Sequence, residues 1–236
     1  RVFYHPSNMV LCVVGDVDPE ALESTARELL PPAPAELPVR DYGPAEGVEP
    51  AGKLMETKME VASPLFMIGG KLGPAPAGEA ALTERITAGL ALRCLCGRSS
   101  PFYLKSYSDG LLNATFGSDA EYAADQGIIT FEGETARAPQ EVFDALRSEI
   151  LRVQREGFDP ALFARQKRAS LGARIRALEN FRGLALSLAE GCFDGYSPLD
   201  AFRLMESVTC EDAANWVRRN LDPDRLALSV VYPKED

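Results

Sequence analysis

Histidine is almost absent from this chain: among 236 residues only His5 carries an imidazole. One ring cannot supply a two-histidine metal centre. A serine–histidine–aspartate triad would also have to use His5, which precedes Pro6 and the first apolar run and reads as a surface residue. Cysteine is sparse. Cys12, Cys94, Cys96, Cys192 and Cys210 are odd in number, widely spaced and set among apolar neighbours. That pattern predicts reduced, buried thiols in a cytoplasmic protein rather than a disulfide framework. Cys94-x-Cys96 lacks the spacing of a redox pair and reads as two core thiols near a helix end.

Long hydrophobic runs are missing as well. Met9 to Val14 is far too short to cross a bilayer and no signal peptide opens the chain, so no membrane partner is expected. Positive charge is scarce: 25 basic residues face 35 acidic ones, a formal charge of −10 that repels phosphate backbones and excludes nucleic acid as an expected partner. The one basic cluster, Arg165 to Arg176, has helical spacing and reads as a solvated face. A chain that begins with Arg1 instead of Met suggests that upstream sequence has been removed.

What is present suffices for a packed core, since 46% of the residues are hydrophobic. Met9 to Gly15 is β-branched and apolar and predicts a buried strand. Asp18 offers an N-cap, Pro19 the first helical position, and Ala21 to Leu30 the helix. The Pro- and Gly-rich stretch 31–52 has too few apolar residues to pack and reads as a linker. Strands are predicted over Lys53 to Val61, Pro64 to Lys71, Leu111 to Asp119, Gly127 to Thr135 and Arg225 to Val231. Helices are predicted over Glu79 to Leu95, Pro101 to Ser106, Pro139 to Arg155, Pro160 to Glu179, Arg182 to Glu190 and Leu199 to Met205. Thr209-x-x-Asp212 is a capping box for a last helix ending near Asn220. Paired strands alternating with grouped helices predict an α+β fold, a mainly antiparallel sheet with helices packed on one face.

The two ends of the chain echo each other: Ser7-Asn8-Met9-Val10-Leu11-Cys12-Val13-Val14 matches Asp224-Arg225-Leu226-Ala227-Leu228-Ser229-Val230-Val231 in pattern. If one module is repeated in a longer protein, 1–30 is the last strand and helix of the preceding copy, 31–52 the linker, and 53–236 a complete C-terminal copy.

The run from Tyr4 to Pro19 resembles the junction between two modules of the insulinase and processing-peptidase family of zinc metallopeptidases. Three later stretches strengthen the likeness: Gly97-Arg98-Ser99-Ser100-Pro101-Phe102-Tyr103-Leu104-Lys105; Glu156-Gly157-Phe158-Asp159 with the basic helix after it; and Ser207 to Asp212 leading to Asp222-Pro223-Asp224-Arg225-Leu226. Within the family the chain looks most like the C-terminal module of intracellular, bacterial processing-peptidase-like members.

The resemblance implies two similar α+β modules per half and two halves, in a homo- or heterodimer, closed around a chamber that holds an extended peptide substrate. In active halves the first module carries H-x-x-E-H, which binds zinc and places a glutamate beside the metal-bound water. No such motif occurs here, and Glu84 and Arg85 on the matching helix cannot replace two imidazoles. The expectation is therefore no catalytic residue and no metal in this chain, with zinc in the missing N-terminal module of the intact protein.

Some second modules supply an Arg and a Tyr that reach toward substrate. Here Tyr107 and Asn113 fall near those positions, without the cation that a developing oxyanion attracts. Gly69 and Gly70, before Gly73, lie where some non-catalytic members have a glycine-rich loop that handles substrate; a plain strand-to-helix connection reads the same. The function implied is a non-catalytic module that forms part of the chamber and the contact with the other half. The alternative is a non-enzymatic scaffold of the same fold, comparable to respiratory-complex core subunits.

Overall fold

The computed structural model describes residues 4, 6–31, 39, 41, 43–44, 47–74, 76–123 and 126–234. His5 and much of 31–52 lie outside the described residues, and the described part of that stretch holds no helix or strand.

Five strands make one sheet: β1 Leu54–Met59, β2 Leu65–Leu72, β3 Gly117–Ala123, β4 Gln126–Glu134 and β5 Ala227–Pro233. Their order is β1-β5-β2-β4-β3; β1 runs parallel to β5 and every other pair is antiparallel. Alternation decides which face is dry. Phe66, Ile68 and Leu72 on β2, Ile129 and Phe131 on β4, and Leu228 and Val230 on β5 are buried toward the helices. Between them Met67, Ile128 and Glu132 point to the open face, with Met55 and Met59 of β1 in register beside Ser229 and Pro233. Glu132 and Glu134 thus share the face turned away from the core, as their spacing of two predicts.

The helices cover the other face: α2 Glu79–Leu95, α3 Pro101–Ser108, α4 Pro139–Glu156, α5 Pro160–Ala177, α6 Phe181–Asp194, α7 Ala201–Ser207 and α8 Cys210–Asn220. α2 is apolar nearly all round, with ten buried residues, and packs between the sheet and α5, α7 and α8. α4 is amphipathic and buries the stripe Val142, Leu146, Ile150 and Val153. Local chemistry fixes the ends. Gly157 closes α4 at φ 75°, Asp159 caps α5, and Thr209 and Asp212 form the predicted capping box of α8. No described helix is long and apolar enough to cross a membrane.

Three expectations are corrected. Met9 to Gly15 forms no strand, and Met9, Leu11 and Val13 are exposed. The run pairs with neither edge strand of the sheet, β1 or β3, and β5 fills the place between β1 and β2, so its backbone hydrogen bonds find no ladder. The helix that follows, α1 Pro19–Leu29, does form on its Asp18 cap but buries nothing.

The strand predicted from Leu111 starts only at Gly117 and runs to Ala123. Leu111 and Leu112 are apolar because they pack, not because they pair; their N–H groups donate to the carbonyl of Ser106 at 2.8 and 3.1 Å. The cysteines divide, too. Cys94 and Cys96 are buried, Cys12 and Cys210 are half-buried, and Cys192 on α6 is exposed.

Candidate functional site

Sequence reasoning singled out Tyr107, Asn113, Gly69 and Gly70. Tyr107, on the last turn of α3, is 54% exposed and stacks on Tyr103 at 5.8 Å between ring centroids. Asn113 is engaged locally: its Oδ1 accepts from the Thr115 N–H at 2.8 Å, and its main-chain carbonyl accepts from the Tyr103 hydroxyl at 3.2 Å. Tyr107 and Asn113 are therefore gathered around Tyr103.

Gly69 and Gly70 lie elsewhere, inside β2 rather than in a loop, in register with Thr130 and Ile129 of β4. A Cβ on Gly70 would stand 3.0 Å from Leu226 and 3.3 Å from Ile129, so close packing accounts for glycine there. Thr115 sits at the Glu134 end of the sheet, through the bond from the Glu134 N–H to its hydroxyl, and Glu134 faces Leu65. Four to five residues of strand, about 13–17 Å, separate that end from Gly69 and Gly70. The four residues do not converge.

The polar residues of α2 are committed to structure. Glu84, 18% exposed, accepts from Trp216 Nε1 at 2.7 Å, the Tyr122 hydroxyl at 3.2 Å, Asn220 Nδ2 at 3.5 Å and the Arg219 guanidinium at 3.2 Å. Burial holds the Tyr122 phenol up at about 12, so it stays protonated and donates. Arg85 lies over the Tyr122 ring, donates to its carbonyl at 3.2 Å and pairs with Asp194 at 2.9 Å. Both Glu84 oxygens are thus spoken for, with a guanidinium beside one. This helix does not fit a zinc ion, and among the described residues no group of three His, Cys, Asp or Glu could hold a metal.

A cleft of about 350 Å³ opens at the other end of α2, between its last turn, the loop after it and the start of β3. Arg93 and Arg98 stand at its mouth, and Cys96, Phe116, Ser118 and Asp119 line it. Gly89 and Gly117 leave open space where side chains would stand. Gly97 is sterically required, since a Cβ there would lie 2.6 Å from the Arg93 carbonyl. The Cys96 thiol donates to Ser118 Oγ at 3.3 Å, and burial pushes its pKa to about 12, so it is no nucleophile.

One side of the cleft is a sheet edge, because among the described residues β3 pairs only with β4. Backbone groups along such an edge point alternately to the partner strand and outward. The Ala120 N–H is held by Asp119 Oδ1 at 2.9 Å and the Tyr122 carbonyl by Arg85, which marks Ser118, Ala120 and Tyr122 as the outward residues. The Ser118 N–H and the carbonyls of Ser118 and Ala120 are left without a partner strand, enough to pair about three residues of an extended segment. Sequence reasoning missed this place. Its signal was the series Gly89, Gly97 and Gly117, spaced along two elements whose adjacency only folding reveals.

Comparison with known proteins gives this architecture a family. Residues 1–170 match the model of the peptidase M16 inactive domain. The chain belongs to the M16 peptidase family, in its inactive domain. This M16 chain is 32% identical over 242 residues to a Bacillus subtilis (strain 168) protein named an uncharacterized zinc protease, YmfH, a match covering 99% of this chain and 55% of that protein. It therefore spans about half the length of that relative. An M16-like peptidase structure from Alicyclobacillus acidocaldarius superposes with a TM-score of 0.83 at 21% identity, over 93% of this chain and 53% of that one. The inactive peptidase domain of a zinc protease from Bordetella parapertussis gives a TM-score of 0.63 at 14% identity, over 76% of this chain and 95% of that one. The α+β fold is thus shared with both of these structures.

Proposed function

We propose that this chain is the non-catalytic C-terminal module of an insulinase-like zinc peptidase half, and that it holds an extended peptide against one wall of the chamber. The cleft beside β3 carries this reading. An unpaired strand edge next to an open pocket offers main-chain hydrogen bonds to any extended segment and room for one of its side chains. In the intact protein residues 1–30 supply the last strand and helix of the preceding module, 31–52 the linker and 53–236 the complete module; that division accounts for an apolar run that forms no strand here and an α1 that buries nothing. Zinc and the water-activating glutamate belong to the upstream module. Tyr107 and Asn113 border the chamber, with Gly69 and Gly70 on β2 as its further substrate-facing positions, Gly70 also letting β2 pack tightly against Leu226. The protein works in the cytoplasm, paired with a second half.

Two measurements test the reading. After incubation with zinc and gel filtration the purified chain retains none and hydrolyses no peptide, whereas the longer protein with its upstream module does both. Stoichiometric zinc or zinc-dependent hydrolysis by this chain alone overturns the assignment. A labelled extended peptide binds the chain, and Ser118→Pro weakens that binding, since proline removes an outward N–H that β4 does not use.

A further inference from the structure

Two arginines, Arg93 and Arg98, line the cleft beside β3 on a molecule whose formal charge is −10. Several guanidinium groups are matched: Arg85 pairs with Asp194, Arg152 with Glu149, Arg203 with Glu79, Arg218 with Glu211 and Arg219 with Glu84. Arg93 and Arg98 have no carboxylate partner among the described residues. Arg98 donates to the Ala114 carbonyl at 3.0 Å, which fixes its guanidinium over the loop before β3 while leaving its charge uncompensated. Behind them on α5, Arg174 has its pKa lowered, first by burial and then by the nearby charge of Arg93, so positive charge accumulates at this corner. The one acid lining the cleft, Asp119, spends Oδ1 on the Ala120 N–H. The sheet's open face is of opposite character, with Glu121, Glu132 and Glu134 on β3 and β4.

We infer that the cleft selects extended peptides carrying an acidic side chain, whose carboxylate pairs with Arg93 and Arg98 while the flanking backbone adds to Ser118 and Ala120. The inference rests on the peptide-holding reading above and supplies its substrate chemistry. Two guanidinium groups at one mouth suit a carboxylate, which accepts charge-assisted hydrogen bonds from both. A basic side chain in the same place would meet uncompensated like charge.

The test uses the 236-residue chain and three fluorescent peptides of one extended sequence that differ at a single position, Glu, Gln or Lys, read by anisotropy at low and high salt. The Glu peptide binds about tenfold tighter than the Gln peptide, as expected for a charge-assisted pair over a neutral one, and the Lys peptide binds weakest. The margin shrinks as salt rises. Arg93→Gln with Arg98→Gln abolishes the preference with the fluorescence of the buried Trp216 unchanged, and Arg93→Glu with Arg98→Glu turns it toward the Lys peptide. If all three peptides bind equally, or the doubly substituted protein keeps the Glu preference, the inference fails and the peptide-holding reading survives. If no peptide binds, both fall.

Discussion

Met9 to Val14 and Ala227 to Tyr232 carry nearly the same alternation of β-branched and apolar residues, yet their fates differ. The second run is β5, paired on one side with β1 and on the other with β2, with Leu228 and Val230 at 4% and 1% exposure. The first lies without a ladder, and Leu11 is 64% exposed. Helices repeat the contrast. α1 and α8 are both amphipathic and both capped by side-chain oxygens, but α8 buries Ala213, Ala214, Trp216 and Val217 whereas α1 buries none. Local pattern and cap chemistry therefore specify what a segment is fit to become. Neighbours decide whether it becomes stable, because burial supplies most of the stabilisation and a lone strand has no partner for its backbone.

The sharpest way to break this comparison is a matched pair of truncations. Leu228→Ala is expected to cost about 2–5 kcal/mol, the range for a buried leucine, and Leu11→Ala less than about 0.5 kcal/mol, as for an exposed site. Chemical denaturation followed by Trp216 fluorescence measures both; similar losses would mean that the N-terminal run is packed after all.

Next in size is Glu84→Leu, which leaves the Trp216 N–H and the Tyr122 hydroxyl without their acceptor. Stranding buried donors costs about 1–3 kcal/mol, read from the same curves. A neutral outcome would mean that the four-donor cluster is not a stabilising part of the packed half.

Cap removal then separates the two helices. Thr209→Ala should cost about 1 kcal/mol of global stability, because the α8 cap belongs to the cooperative core. Asp18→Ala should reduce only the hydrogen-exchange protection of α1 amides and leave the global denaturation midpoint unmoved. A shift in that midpoint would tie α1 to the core.

The smallest effect is in acid. Hydrogen bonds from the Thr209 side chain and backbone hold the Asp212 carboxyl below its ordinary 3.8. A pKa depressed in the folded state gives stability that is complete above the unfolded value and lost as pH falls below 3.8 through the folded value. Asp212→Asn should flatten that acid limb in a series of urea midpoints, modestly because the group is exposed.

Much of the fold was legible because its signals are local. Glu79 to Leu95 was bounded by the Gly78 and Gly97 breaks, α4 by Pro139 and Gly157, and α8 by its capping box. The missing H-x-x-E-H was equally plain, since a histidine count needs no geometry. Illegible were features that depend on distant pairing. The stretch from Leu111 to Phe116 reads as strand because its leucines are core residues, and only the Ser106 carbonyl shows that their backbone is satisfied without a ladder. The cleft was hidden for the same reason: Arg93 and Ser118 are 25 positions apart and become neighbours only when β3 lies along α2.

The sequence by itself determined that these residues hold no two-imidazole zinc centre, where most helices begin and end, and that strands and helices would segregate into an α+β fold. Those outcomes follow from side-chain inventory and from backbone chemistry acting over a few residues. Only the tertiary structure decided that Glu84 is a hydrogen-bond hub, that β5 is a central strand while its N-terminal echo stays unpaired, and that uncompensated guanidinium groups meet a strand edge. Each of those rests on hydrogen bonds and charges brought together from far along the chain, and such encounters leave no periodic trace in it.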